Sequence, residues 1–189
     1  VPGALLTSLH IVHAADAAVM PWRNGGGSTR EYVREPLDGD DFDWRLSVAE
    51  VAADGPFSTF PGLDRILVLL SGNGMELWSG ERSVVLGEPL QHLAFSGEAE
   101  IQAHLLDGPT TDLNLMWRRD LYRAVVATAH GSGRLQLDAT GVSIAFVAGG
   151  SMVVDGHTLA QGDVVQFTGH LTARGDATLV LFDLVPRTP

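Results

Sequence analysis

ILVLLSGNGMELWSGERSVVLGEPLQHLAF, residues 66–95, alternates short apolar runs with glycine. An apolar strand meets a glycine turn, a second strand ends at Gly80, a polar link passes through Gly87-Glu88, and a third strand reaches Phe95. The same plan returns in SIAFVAGGSMVVDGHTLAQGDVVQF, residues 143–167, with Gly156, Gly162-Asp163 and Phe167 at the matching places. IQAHLLDG and TLVLFDLV close the two copies.

Outward from this repeat, runs such as YVREP, WRLSVAEV, DLNLMW, RAVVATA and RLQLDATG are bounded by glycine, proline or aspartate. Strands of this length and spacing predict an all-β sandwich or barrel. The one stretch with helical character is MWRRDLYRAV, residues 116–125, which reads as a short helix or a strand connection. A hairpin ending in glycine, followed by Gly-Asp or Gly-Glu before a strand, is common in small β-barrels of the cupin type, an analogy at the level of fold. Two such units predict a bicupin: two cupin-like β-barrel or sandwich halves in one compact unit, residues 1–120 and 121–189.

Composition narrows the chemistry. The 189 residues are 45% hydrophobic, enough for a sizeable core, and carry 12 basic against 23 acidic residues for a net charge of −11. That sign opposes attraction to nucleic-acid phosphates or anionic lipid, so neither direct nucleic-acid binding nor membrane binding is expected. Every basic residue is arginine and there is no cysteine. Lysine Schiff bases, thiol nucleophiles, disulfides and thiolate metal sites are excluded, whereas arginine suits planar carboxylates. No apolar run reaches the roughly 18 residues needed to span a bilayer, and the chain reads as a soluble cytoplasmic protein.

The seven histidines include no His-x-His pair of the kind metal-binding cupins use. His10 and His13 would point to opposite faces of a strand. No metal and no cofactor are expected.

Polar residues concentrate around MPWRNGGGSTREYVREP, residues 20–36. Three consecutive glycines cost conformational order unless the backbone must turn or lie against something. Alternation in the following strand places Thr29, Glu31 and Val33 on one face and Arg30, Tyr32 and Arg34 on the other. In DWRLSVAE, residues 43–50, Trp44, Leu46 and Val48 form the core face, and Arg45 and Ser47 share the opposite one. That face is solvent-exposed or, in a small barrel, lines a ligand cavity. The same question attaches to Asp64, Arg65, Glu98, Asp107, Asp112 and Asn114. FSTFPG, residues 57–62, reads as core and turn.

PWRNGGGSTRE (21–31), WRLSVAEVAADGPFSTFPGLDRILVLLSG (44–72), FSGE (95–98) and DGPTTDLNLMWRR (107–119) resemble the HutD family, also called HutD/Ves. The match covers most of residues 10–120 in order; the C-terminal part agrees only in general pattern. The resemblance implies a bicupin and, for members encoded with histidine-utilisation genes, a role in moderating that pathway, with urocanate or formylglutamate as suggested ligands. The family's motif falls on Trp22, Asn24, Gly25, Gly26, Gly27, Thr29, Glu31, Arg45, Ser47, Phe57, Phe60, Asp64, Arg65, Glu98, Asp112 and Asn114.

The reading is a metal-free regulatory protein that binds a small carboxylate metabolite. Its expected ligand-binding residues are Trp22, Asn24, Gly25, Gly26, Gly27, Thr29, Glu31, Arg45, Ser47, Arg65 and Glu98. The glycine N–H groups would face an anion, Trp22 would cover the ligand, and Arg45 would pair with its carboxylate. Two alternatives stay open: a hydrolase or isomerase with Glu31 or Glu98 as general base, and an interaction module. A homodimer through a sheet edge is compatible with the pattern.

Overall fold

The computed structural model describes residues 8–22, 25–36 and 41–188, and among these every regular element is a strand. In chain order they are β1 (Leu9–Val12), β2 (Ala18–Pro21), β3 (Gly27–Glu35), β4 (Trp44–Val51), β5 (Gly55–Pro56), β6 (Leu63–Ser71), β7 (Met75–Ser79), β8 (Arg82–Leu86), β9 (His92–Ser96), β10 (Gln102–Leu105), β11 (Thr110–Arg118), β12 (Tyr122–Val154), β13 (His157–Ala160) and β14 (Val164–Pro186). None is a helix, so none is a helix long and apolar enough to cross a membrane.

The chain divides into two units. Ala17–Leu121 forms one; the other joins the segment ending at Asp16 to Tyr122–Pro189. The sequence reading put the first 120 residues in one half, whereas β1 adds to β14 of the C-terminal unit, Leu9 opposite Phe167 and Val12 opposite Val164. Leu9 and Ile11 pack on that unit's core, which gives four apolar-flanked residues a place the local pattern does not reveal.

The N-terminal unit has a six-stranded sheet, β2-β3-β4-β11-β6-β9, and a four-stranded sheet, β5-β10-β7-β8. Val51, Leu67 and Leu69 of the first and Met75, Leu77 and Ala103 of the second share one buried cluster. The arrangement is a sandwich rather than a closed barrel. β6 is buried on both faces over Arg65–Leu69, as expected of a central strand that reads as a continuous apolar run.

In the C-terminal unit, β12 and β14 are long bent strands that pair twice. Residues 173–184 of β14 lie between residues 124–135 and 142–154 of β12. Ala145, Val147, Met152, Leu159, Val165, Phe167, Leu171 and Leu179 fill this unit's core.

The repeat is the same topology in both units. A first strand runs into a hairpin (β7–β8, β12–β13), and a return strand pairs antiparallel with the first: β9 with β6, and the start of β14 with residues 142–146.

Two local expectations are corrected. MWRRDLYRAV is not helical: β11 continues to Arg118, Leu121 N–H donates to the Arg118 carbonyl at 3.1 Å, and β12 starts at Tyr122. Arg118 also holds Asp120 at 2.7 Å, tightening the turn. In β3, a bulge between Glu31 and Val33 leaves Val33 opposite Leu46 and Arg34 opposite Arg45. One extra residue reverses the alternation, so Val33 is buried and Arg34 joins the face of Glu31 and Arg45.

Candidate functional site

Three central strands of the six-stranded sheet set out a grid of side chains. On β11, Met116 stands between Arg45 of β4 and Arg65 of β6; Asn114 stands between Ser47 and Leu67; Asp112 stands between Ala49 and Leu69. β3 extends the rows with Arg34, Glu31 and Thr29. Residues two apart on a strand share a face, so each row is one level of one surface. A cavity of about 470 Å³ opens over it, within the range of small-molecule sites. Pro21, Trp22, Pro56, Phe57, Ser58 and Phe60 wall it.

Arg65 is 4% exposed. Its guanidinium lies 4.9, 5.5 and 5.6 Å from the ring centres of Phe95, Phe60 and Phe57. Nη1 donates to the Ser58 carbonyl at 3.2 Å, and the buried Nε has no partner. Burial lowers its pKa to about 10; Asp112 opposes that shift and Arg45 adds to it. It remains a cation at neutral pH.

Arg45 lies 4.8 Å from the Phe42 ring centre and 5.8 Å from that of Phe60. Nη1 is 3.7 Å from Glu31 Oε2, Nη2 meets Met116 Sδ at 3.6 Å, and its buried Nε is also unpartnered. Burial lowers its pKa, with Glu31 opposing and Arg34 assisting.

Asp112 is 1% exposed and Asn114 5%, and the Oδ1 of each is buried without a hydrogen-bond partner. Burial pushes the Asp112 carboxyl up to about 7, although Arg65 pulls it back. Buried polar atoms are almost always paired, so four such atoms around one cavity mark a place built to receive polar groups.

The glycine triplet serves the Trp22 wall. Trp22 N–H donates to the Gly27 carbonyl at 2.9 Å and Gly25 N–H to the Trp22 carbonyl at 3.1 Å, with Gly25 at φ +72°. A Cβ on Gly27 would stand 2.2 Å from the Glu50 carbonyl oxygen and 3.0 Å from the indole. Trp22 Nε1 then donates to Thr29 Oγ1 at 2.8 Å. The Gly25 N–H is therefore engaged in the turn rather than turned to an anion, and Gly26 contributes its carbonyl to Ala52 N–H at 2.9 Å.

Of the residues expected from sequence, Trp22, Thr29, Arg45, Ser47 and Arg65 line the cavity. Glu31 stands behind Arg45, and Gly25, Gly26 and Gly27 form the turn beneath Trp22. Asn24 lies outside the described residues. Glu98 sits elsewhere: Oε1 accepts from Gly62 N–H at 2.7 Å, Oε2 pairs with Arg119 at 2.5 Å, and Ser96 Oγ donates to it. These bonds hold its pKa down to about 2. Glu98 thus tethers the loop that carries Phe57, Ser58 and Phe60.

Asp112, Asn114, Met116 and the two phenylalanines were not among the expected binding residues. The alternation in TDLNLMW places the first three on one face, which is the signal that finds them. Among the described residues no histidine lines the cavity, and its titratable walls are Arg45, Arg65 and Asp112. Among the described residues no three His, Asp or Glu side chains are grouped to hold a metal ion.

A structure of HutD from Pseudomonas fluorescens SBW25, in a formate condition, superposes with a TM-score of 0.83 at 32% identity, covering 96% of this chain and 100% of the other. A conserved protein of unknown function from Pseudomonas aeruginosa PAO1 gives 0.80 at 34% identity, covering 94% and 99%. An uncharacterized 21.2 kDa protein in the hutC 3′ region of Pseudomonas putida is 41% identical over 139 residues, 72% of this chain and 73% of that protein. The family model described as HutD matches residues 14–181, and with it both repeat copies and the whole grid of β3, β4, β6 and β11: the chain belongs to the HutD family.

Proposed function

We propose that the N-terminal cavity binds a small carboxylate metabolite of histidine degradation and that the protein moderates histidine utilisation through that ligand. The carrying observation is the pair of caged guanidiniums, Arg45 and Arg65, flanking Met116 at one end of the cavity, each with a buried unpartnered Nε. Arginine held rigidly by aromatic rings loses little freedom on pairing, and a planar carboxylate matches its fork. The reading is supported by a relative in a hutC 3′ region. The net charge of −11 does not oppose it, because the local field of two buried arginines governs the cavity.

One observation favours a second reading, an enzyme. Asp112, near pKa 7 in the cavity, is suited to general acid–base work, whereas Glu31 and Glu98 do not line it. Calorimetric titration with urocanate, formylglutamate, histidine and glutamate, followed by product analysis, separates the two. Saturable binding of one acid without product is expected; product formation puts the enzyme first, and silence from all four removes the carboxylate reading.

A further inference from the structure

The four-stranded sheet of the N-terminal unit ends at β8, whose outer side meets no strand among the described residues. Ser79 and Arg82 pair across the two-residue turn Gly80-Glu81, with Gly80 at φ +59°. Residues flanking such a turn exchange hydrogen bonds, and the pattern alternates along the ladder. Arg82, Val84 and Leu86 therefore turn their backbone groups to β7, whereas Ser83, Val85 and Gly87 turn theirs outward. The Gly87 N–H is already taken by Gln91 Oε1 at 2.9 Å. The open stretch is thus residues 83–85, with donors and acceptors placed evenly about Val84. Other edges are shielded by proline: β2 ends at Pro21, and β5 is Gly55–Pro56. β8 has no proline and no bulge, and it presents two adjacent valines, Val84 at 43% and Val85 at 52% exposure. A groove of about 520 Å³ lies against them, lined by residues 84–86 of β8 and 89–92 of the link into β9. In that link Leu90 is held at φ +69° while its N–H donates to the Leu69 carbonyl at 2.7 Å. Bulky side chains rarely adopt this conformation, and such strain gathers at binding surfaces.

We infer that β8 is a homodimer interface: β8 of a second copy pairs with it antiparallel about a twofold axis at Val84. Ser83 of each copy then exchanges both backbone hydrogen bonds with Val85 of the other, and one symmetry operation satisfies every open group. A twofold contact requires this kind of self-complementary patch. Val84 meets Val84 of the second copy as a non-hydrogen-bonded pair, the position at which side chains approach most closely. The same pairing brings Arg82 of each copy to the end that carries Glu88 of the other, opposite charges at both ends. Each chain carries a net charge of −11, yet among the described residues no carboxylate lines the groove, and His92 is its one titratable group. Repulsion between copies therefore comes from outside the contact, and salt should tighten the dimer by screening it.

Sedimentation equilibrium of the full chain, from micromolar to millimolar concentration, tests the assembly. A monomer–dimer equilibrium is expected, tightening with ionic strength. Val84→Glu sets two like charges against each other at the axis and should weaken association at least about tenfold. Because the chain has no cysteine, an introduced thiol reports the geometry directly. Val84→Cys places two thiols at the axis, within disulfide reach, whereas Val85→Cys places them two residues apart along the strands, beyond it. Under mild oxidation the Val84→Cys protein should form a covalent dimer at least about tenfold faster than the Val85→Cys protein. Both positions are exposed, so these variants keep the fold, which circular dichroism checks. A wild type that stays monomeric throughout overturns the second copy as the occupant of this edge. A dimer indifferent to Val84→Glu, or equal cross-linking of the two thiol variants, overturns the twofold axis at Val84.

Discussion

Glu31 Oε2 lies 3.7 Å from Arg45 Nη1, in the row behind the cavity rather than on its wall. On the proposed carboxylate reading, Glu31 is thereby a competing anion for Arg45. Its neutralisation by Glu31→Gln is expected to leave carboxylate affinity unchanged or raise it up to about threefold, whereas Arg45→Ala should lower it at least about tenfold. Parallel titrations check the pair. Loss of binding in Glu31→Gln would return Glu31 to the binding surface.

Arg65 is held by three phenylalanines and the Ser58 carbonyl, and it is the cation that opposes the upward shift of Asp112. On the proposed function Arg65→Ala is expected to remove carboxylate binding, and it leaves Asp112 without that compensation. A cost of about 3 kcal/mol is expected from breaking a buried charge arrangement of this kind. Arg65→Lys should fold better yet still bind poorly, because an ammonium cannot present a planar fork. Urea denaturation and titration of both variants read the two effects separately.

Legibility differed from element to element for physical reasons. Glycine and proline mark strand ends, and a period of two put Arg45 and Ser47 on one face of β4. The β3 bulge was hidden, because nothing in GSTREYVRE distinguishes one extra residue from regular alternation, and a single slip exchanged Val33 for Arg34. Phe57 and Phe60 sit in a loop whose position depends on Phe57 N–H reaching the Ile101 carbonyl and Phe60 N–H reaching Gly97. Such non-local bonds leave no mark near the loop itself. Glu98 looked like a binding residue because its motif is polar and distinctive, yet its work is to hold Gly62.

Asp112 makes stability depend on pH. Its folded pKa is raised from 3.8 to about 7, so the stability it contributes is full below 3.8 and is lost as pH rises through about 7. Asp112→Asn has no such loss. The stability difference should therefore move in favour of the variant between about pH 4 and 7.5 and then level off. Urea midpoints at pH 5, 6, 7 and 8 test it; parallel curves for the two proteins would show that Asp112 carries no raised pKa.

The Trp22 wall depends on the absence of a side chain at residue 27. A Cβ there would meet the Glu50 carbonyl oxygen at 2.2 Å, a backbone atom fixed in the β3–β4 ladder, and the indole at 3.0 Å. The backbone oxygen cannot yield without breaking pairing, and the indole cannot yield without stretching its 2.8 Å bond to Thr29. Gly27→Ala is therefore expected to lower stability by about 1–3 kcal/mol, the usual cost of overpacking. It should also weaken ligand binding more than Thr29→Val, which removes the hydroxyl that accepts from Trp22 but leaves Gly27 open. Thermal unfolding and titration of the two variants give the order; equal stability of Gly27→Ala and wild type would mean that the turn and Trp22 shift together at little cost.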